Sequence, residues 1–314
     1  MPDMSFAKDT VQVALCCDEN YVAYANVVML SALKASSSGI NFHLIGCNLA
    51  ASSLSSLADS VESHGGTLSV YQPDNMLYQG LPTHRYGPAV YQRINLPEYL
   101  PERITKVLYI DSDTLVLEDL ATLWNTDLEG MPIAAVENLS PKACTDIGVP
   151  RNEYFNSGVL LMDLGQWRAE GIHHDVTAYL RKHAERLQFV DQCALNGVLQ
   201  GRWKRLPVHW NMQSDIYKVV IKYAGGCSYS ISQLQSAISA PGIVHFTGKK
   251  KPWKIVCFHP FKQYYRRFLE QTPWADLPPP DDTFRARWEF FTAFRQNWKH
   301  WRRTNRLSER YRGK

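Results

Sequence analysis

What this chain lacks narrows its class first. No run of apolar residues approaches the roughly 18 needed to cross a bilayer, so no membrane-spanning helix is expected. Residues 1–10 carry Asp3 and Asp9 and no continuous apolar segment of the secretory kind, which leads to the expectation of a cytoplasmic protein. The seven cysteines are an odd number and contain no Cys-x-x-Cys element, which argues against a disulfide framework and against a zinc site built from paired thiols. Cys16, Cys17, Cys47, Cys144, Cys193, Cys227 and Cys257 therefore read as reduced thiols that pack as small hydrophobes. Charged residues are only 20% of the chain and no internal repeat is apparent, which excludes a solvated polyelectrolyte and a solenoid. The remainder is 45% apolar and 12% aromatic over 314 residues, enough for one main domain with an appendage.

Short apolar runs alternate with amphipathic segments over the first two thirds, the pattern of β-α-β units around a mostly parallel sheet. Strands are expected at Val11 to Cys17, Phe42 to Cys47, Leu68 to Tyr71, Val107 to Ile110, Ile133 to Val136, Gly158 to Met162 and Gly242 to Phe246. Helices are expected near Tyr21 to Lys34, Ser52 to His64, Pro88 to Leu96, His174 to Arg186 and Asp191 to Leu199. Sheets of this kind bind ligands beyond the carboxyl ends of their strands, where Asp18, Asn20, Asp111, Asp113 and Glu137 fall.

The run Lys106-Val107-Leu108-Tyr109-Ile110-Asp111-Ser112-Asp113 is the most informative. An apolar strand ends in two carboxylates one residue apart, and in extended chain alternate side chains leave the same side. Asp111 and Asp113 can thus converge on one divalent cation of the Mg²⁺ or Mn²⁺ type while Ser112 turns away. A plain strand-end turn would use the same residue types. Thr247-Gly248-Lys249-Lys250-Lys251 after the last strand suits a phosphate, since glycine admits close backbone approach and lysine brings charge; a solvated basic loop is the alternative.

Taken together, Cys17-Asp18-Glu19-Asn20-Tyr21, Asp111-Ser112-Asp113, Phe155-Asn156-Ser157-Gly158-Val159, Asp191-Gln192-Cys193-Ala194-Leu195-Asn196 and His245-Phe246-Thr247-Gly248 with Lys251-Pro252-Trp253 form an ordered set. From Val11 to Trp253 the chain resembles family 8 of the retaining glycosyltransferases, which includes glycogenin and bacterial lipopolysaccharide galactosyl- and glucosyltransferases. The resemblance implies a GT-A fold, an α/β domain that lays a UDP-sugar across its strand ends. It implies Mn²⁺, or Mg²⁺, on Asp111, Asp113 and His245. It further implies a donor site of Asp18, Asn20, Tyr21, Arg93, Ser112, Gly248 and Lys251. Glu137, Asn156, Asp191 and Gln192 would surround the sugar, with Gln192 and Asp191 nearest the chemistry. Asp18, Asn20 and Asp191 could equally cap helices, Arg93 could be a solvated helix residue, and His245 a packed one. Gln192 has a neutral amide, a poor nucleophile, and Asp191 is its sequence neighbour; same-face attack with retention is the preferred expectation. Cys16 and Cys17 depart from the small residues usual before the uridine-binding Asp. The loops between Pro73 and Tyr86 and between Pro141 and Tyr154 are expected to shape sugar and acceptor choice.

The expected division is a body over residues 1–277, a proline-rich linker over 278–283 and a basic tail over 284–314. Residues 285–314 hold ten Lys or Arg against Glu289 and Glu309, a net of +8, which leaves −4 for the rest of a chain whose total is +4. Phe284, Trp288, Phe291, Phe294, Trp298 and Trp301 recur at helical spacing. A basic helix with aromatic anchors suits an anionic membrane surface, placing the enzyme at the inner face of the cytoplasmic membrane beside a lipid-linked or oligosaccharide acceptor. Docking on the body is the alternative; nucleic-acid binding is not expected. Two other functions stay open: a glycogenin-like self-glycosylating enzyme, and a non-enzymatic binding module driven by the tail.

Overall fold

The computed structural model describes residues 10–73, 77–83, 87–140, 147–222 and 227–292. Seven strands form the main sheet: β1 (Val11–Asp18), β2 (Ile40–Cys47), β3 (Thr67–Tyr71), β4 (Lys106–Ile110), then β6 (Ile133–Glu137), β7 (Phe155–Asp163) and β8 (Lys204–Arg205). Their order is β3-β2-β1-β4-β7-β6-β8. A second sheet of β5 (Thr114–Val116), β9 (Met212–Gln213) and β10 (Ile243–His245) runs in the order β5-β10-β9. β1, β2, β3 and β4 pair in parallel, as the alternating pattern predicts. β7 is antiparallel to both β4 and β6. That reversal matters, because it carries the beginning of β7, Asn156 to Gly158, to the edge where β1 and β4 end.

Strand order reverses between β2 and β4 around β1, so a crevice opens beyond the carboxyl ends of β1 and β4. The strands there are fully buried apolar runs, closed on both faces. On one face lies helix Val22–Ala35, with eleven of its fourteen residues buried, too many for a one-sided surface helix. Its outer side is covered by helix Lys262–Leu269, which explains the excess. Ser31 in this helix accepts from Val116 N at 3.1 Å and fixes β5 against it. The other face packs under the segment Pro88–Tyr99 and helices Leu164–Glu170, Ile172–His183 and Val190–Val198, around Trp167, Tyr91 and Tyr154. Each large apolar side chain buried there contributes about 1.5–3 kcal/mol.

The expected helices and strands lie within a few residues of their places, but the region after Arg205 holds more order than its composition suggests. Helices Ile216–Lys222, Ile231–Ser239 and Lys262–Leu269 lie there. The segment expected as a spacer is docked instead: the Asp281 carboxylate accepts from Ile255 N at 2.9 Å. Residues 284–292 are helical. Ala286 is buried and Phe290 stacks on Phe258 at 5.0 Å, whereas Phe284, Trp288 and Phe291 are 83%, 60% and 58% exposed. The described part of the expected aromatic stripe therefore faces outward, and a different face of the helix holds it to the body. Phe294, Trp298, Trp301 and most of the basic residues lie outside the described residues. Among the described residues no helix is long and apolar enough to cross a membrane.

Candidate active site

A cleft of about 720 Å³ opens at the crevice, within the usual size for a small-ligand site. β4 delivers Asp111 and, one turn on, Asp113; β10 ends at His245, antiparallel to β5, so that His245 pairs with Thr114 beside the carboxylates. His245 Nε2 lies 3.1 Å from Asp113 Oδ1 and 3.8 Å from Asp111 Oδ2. One ligand atom from each of the three falls within 4.8 Å of the others. The donor set, two carboxylate oxygens and one imidazole nitrogen, suits Mn²⁺. Gly158 shows how tightly this corner is built. A Cβ added there would stand 2.2 Å from His245 Cε1 and 2.8 Å from Asp111 Oδ2, so only glycine lets the ligands approach β7. The three residues fit a divalent cation.

The surrounding charges are nearly balanced. Asp113 is also paired with Lys251 Nζ, which donates to the Phe246 carbonyl at 2.8 Å. Burial alone would raise the Asp113 carboxyl, but Lys251 and His245 hold it well below the usual carboxylate range. Arg93 is sunk in the wall and spans two acids, Asp111 Oδ1 at 2.9 Å and Asp191 Oδ2 at 3.0 Å, while Nη1 donates to the Ser157 carbonyl at 2.8 Å. Its plane lies 4.5 Å from the centre of the Tyr109 ring, and the Tyr109 hydroxyl donates to Asp111 Oδ1 at 2.7 Å. Arg93 is thus a clamp between the expected metal-binding and sugar-binding acids. Burial pushes the Asp191 carboxyl up to about 6, Arg93 opposes the rise, and Asp111 adds to it.

A polar chain runs from the metal-type histidine to the expected sugar pocket. Asn211 Oδ1 lies 2.9 Å from His245 Nδ1, which fixes the ring with Nε2 toward the aspartates. Asn211 Nδ2 donates to Asn156 Oδ1 at 2.8 Å, and Asn156 Nδ2 donates to Gln192 Oε1 at 3.0 Å. Ser157 N donates to the same Gln192 oxygen at 3.1 Å. Asn211 was not legible in the sequence; it lies in the short turn Val208–Asn211, where no periodicity marks it.

Of the residues expected at the site, Asp18, Tyr21, Arg93, Asp111, Ser112, Asp113, Asn156, Asp191, Gln192, His245, Gly248 and Lys251 all line the cleft. Ser112 Oγ points back to the Cys16 carbonyl at 3.4 Å. Gly248 has φ of 86°, a backbone conformation that explains the glycine better than any crowding. Two residues depart from expectation. Asn20 is exposed and outside the lining; its N–H donates to Asp18 Oδ1 at 3.0 Å, so Asp18 closes a turn and does not cap the helix, whose cap position is Tyr21. Glu137 ends β6 at the right edge but is completely buried away from the cleft, its Oε2 taking Arg205 Nη1 at 2.6 Å and Ser228 N at 3.0 Å. Burial raises its carboxyl despite these partners. Cys16 and Cys17 line the cleft, and burial pushes both thiols above their ordinary range, as for packed hydrophobes. The six described cysteines are all free, and Cys144 lies outside the described residues, as do parts of both expected specificity loops.

The model of glycosyl transferase family 8 matches residues 12–257, which span every residue that lines the cleft. The chain belongs to that family. A Bacillus subtilis (strain 168) relative, general stress protein A, is 28% identical over 284 residues, covering 87% of this chain and 97% of its own length. A lipopolysaccharide 1,2-glucosyltransferase of Escherichia coli (strain K12) is 25% identical, with 93% and 85% covered. The galactosyltransferase LgtC, solved with donor and acceptor sugar analogs, superposes with a TM-score of 0.75 at 25% identity, over 84% of this chain and 96% of its own. The fold is therefore GT-A, with the cleft beyond the carboxyl ends of β1 and β4.

Proposed function

We propose that this glycosyltransferase moves glucose or galactose from a UDP-sugar to a hydroxyl of a lipopolysaccharide core or related cell-surface glycan, with retention and with Mn²⁺ or Mg²⁺ as its metal. The observation that carries the reading is the convergence of Asp111, Asp113 and His245 at the mouth of the β1–β4 crevice. When bound, the cation supplies positive charge against the diphosphate as the glycosidic bond breaks. The chain's own residues do the rest. Lys251 adds a second positive charge at the same edge, and the Gly248 backbone admits a phosphate. Tyr21 offers an aromatic face to the base, beside Trp253. Asn156, Asp191 and Gln192 bond sugar hydroxyls, a kind of contact that rejects sugars lacking them.

Two features favour same-face attack over a double displacement. Gln192 already uses its amide oxygen on Asn156 and Ser157, and Asp191 is tied to Arg93, so neither stands free as a nucleophile. In the reaction as proposed, the departing phosphate oxygen accepts the proton of the incoming hydroxyl on the same face of the sugar. The outward-facing Phe284, Trp288 and Phe291, followed by a strongly basic sequence, support a peripheral position on an anionic membrane. The test is UDP release from a panel of UDP-sugars with Mn²⁺ present or chelated, with the mass of the chain followed in parallel, and flotation with neutral or anionic vesicles. Metal-dependent turnover of a UDP-hexose at constant protein mass, with recovery on anionic vesicles, is expected. A rising protein mass would favour self-glycosylation, and absence of turnover from every sugar would overturn the proposal.

A further inference from the structure

A second cluster of metal-type side chains lies outside the cleft lining. Gly171, with φ of 66°, ends helix Leu164–Glu170 and starts helix Ile172–His183, so His173 and His174 stand together in a first turn. Their ring centres are 3.9 Å apart. Glu98, on the short helix Leu96–Tyr99, reaches across to them, its Oε1 2.7 Å from His173 Nε2. One ligand atom from each of the three lies within 4.8 Å of the other two.

The decisive observation is the state of His173. The residue is only 3% exposed and its ring nitrogens make no well-aligned hydrogen bond; the groups beside them are the Glu98 carboxylate, 2.7 Å from Nε2, and the backbone of Trp167. Buried polar groups are satisfied in nearly all native structures, and an orphan needs an explanation such as an ion. A backbone group beside the ring, as Trp167 supplies here, is also the usual support of a ligating histidine.

We propose that Glu98, His173 and His174 form a binding site for a Zn²⁺-class transition metal, separate from the cleft. Two imidazoles and one carboxylate form a donor set that zinc accepts and that magnesium and calcium do not favour. Bonds of about 2.1 Å in a tetrahedral site put ligand atoms about 3.4 Å apart. That spacing is wider than the 2.7 Å between His173 Nε2 and Glu98 Oε1 and falls inside the 4.8 Å that bounds the cluster, so small side-chain rotations reach it. Glu98 and His174 are exposed, which gives the ion an entry path and leaves its fourth position to water. The site would act as a tie. Leu96–Tyr99 continues directly from the Pro88–Asn95 turn that carries Arg93, and Ile172–His183 packs on the helix that carries Asp191 and Gln192. At present Arg168 joins the first of these segments to the helical layer, through the carbonyls of Pro97, Leu100 and Ile104.

The test uses the full chain carrying Asp113→Ala, which weakens the cleft ligand set, stripped of metal and titrated with Zn²⁺ against a fluorescent chelator. Co²⁺ is used in parallel for its visible absorption. One tight equivalent of Zn²⁺ per chain and an intense Co²⁺ band are expected. Glu98→Gln and His174→Ala, both at the surface, should each weaken the affinity 10–100-fold while leaving metal-free thermal unfolding unchanged. Failure to take up Zn²⁺, or uptake equally tight in both variants, would overturn the proposal whatever the donor chemistry of the cleft.

Discussion

Gly158→Ala isolates the geometry of the cleft with a single methyl group. The added Cβ would sit 2.2 Å from His245 Cε1, 2.8 Å from His245 Nδ1 and 2.8 Å from Asp111 Oδ2. None of these neighbours is a free end. His245 is held by Asn211 at 2.9 Å, and Asp111 donates its own N–H to the Gly158 carbonyl at 2.8 Å. Reaching ordinary contact therefore requires the ring or the strand to retreat by about 1 Å. Coordination distances tolerate only about 0.2 Å, so the shift takes His245 out of a shared site with the aspartates. The half-saturating Mn²⁺ concentration for UDP release should rise by at least about tenfold, toward about 100-fold. Overpacking of this kind costs about 1–3 kcal/mol of stability, read by urea unfolding. The same half-saturation in variant and parent, with the stability loss present, would show that His245 does not belong to the metal set.

Asn211→Ala removes the partner of His245 Nδ1 without touching a ligand, and should also loosen metal-dependent turnover about 10-fold or more, with a change in the Mn²⁺ requirement larger than any change in unfolding midpoint. Glu137→Ala removes a buried carboxylate from partly exposed Arg205 and from the Ser228 N–H, and should cost about 1–3 kcal/mol in urea unfolding while kcat/KM stays within about twofold; a collapse of turnover at unchanged stability would return Glu137 to the cleft. For Asp191, burial raises the folded pKa to about 6 against about 3.9 in an unfolded chain. The folded state then holds the proton more tightly, so this group disfavours folding progressively as pH rises from about 4 to about 6, by up to about 3 kcal/mol, and the cost stays constant above. Metal-free wild type should accordingly lose stability relative to Asp191→Asn across that window, and a gap independent of pH would contradict the assignment.

Much of this architecture is written in local pattern. β1, β2 and β4 are buried on both faces and read as largely apolar runs, interrupted by Gln12, Asn41 and His43, and the carboxylates that end β4 announce the crevice. In the small sheet only β10 was legible, within the run Gly242 to Phe246; β5 and β9, of three and two residues, are too short for periodicity to register. Helix Ile231–Ser239 did carry a signal, the Ser230–Gln233 capping box, inside a stretch whose composition reads as mixed. Glu137 shows the limit of the strand-end rule, which names the edge a residue reaches but not the side its chain takes; the Arg205 guanidinium on β8 decides that. Asn211 and the clamp made by Arg93 depend on contacts between residues 18 to 98 positions apart, and no local pattern records them. The direction of the aromatic stripe was likewise open, because Phe290, outside the stripe, supplies the contact with Phe258.

The most direct test of the central claim is calorimetric titration of UDP into the metal-free chain, with and without Mn²⁺, for wild type and Asp113→Ala. The account predicts binding that strengthens at least tenfold with Mn²⁺ in wild type and loses that gain in the variant. Equal UDP affinity with Mn²⁺ and with chelator, or a gain that survives Asp113→Ala, would contradict it.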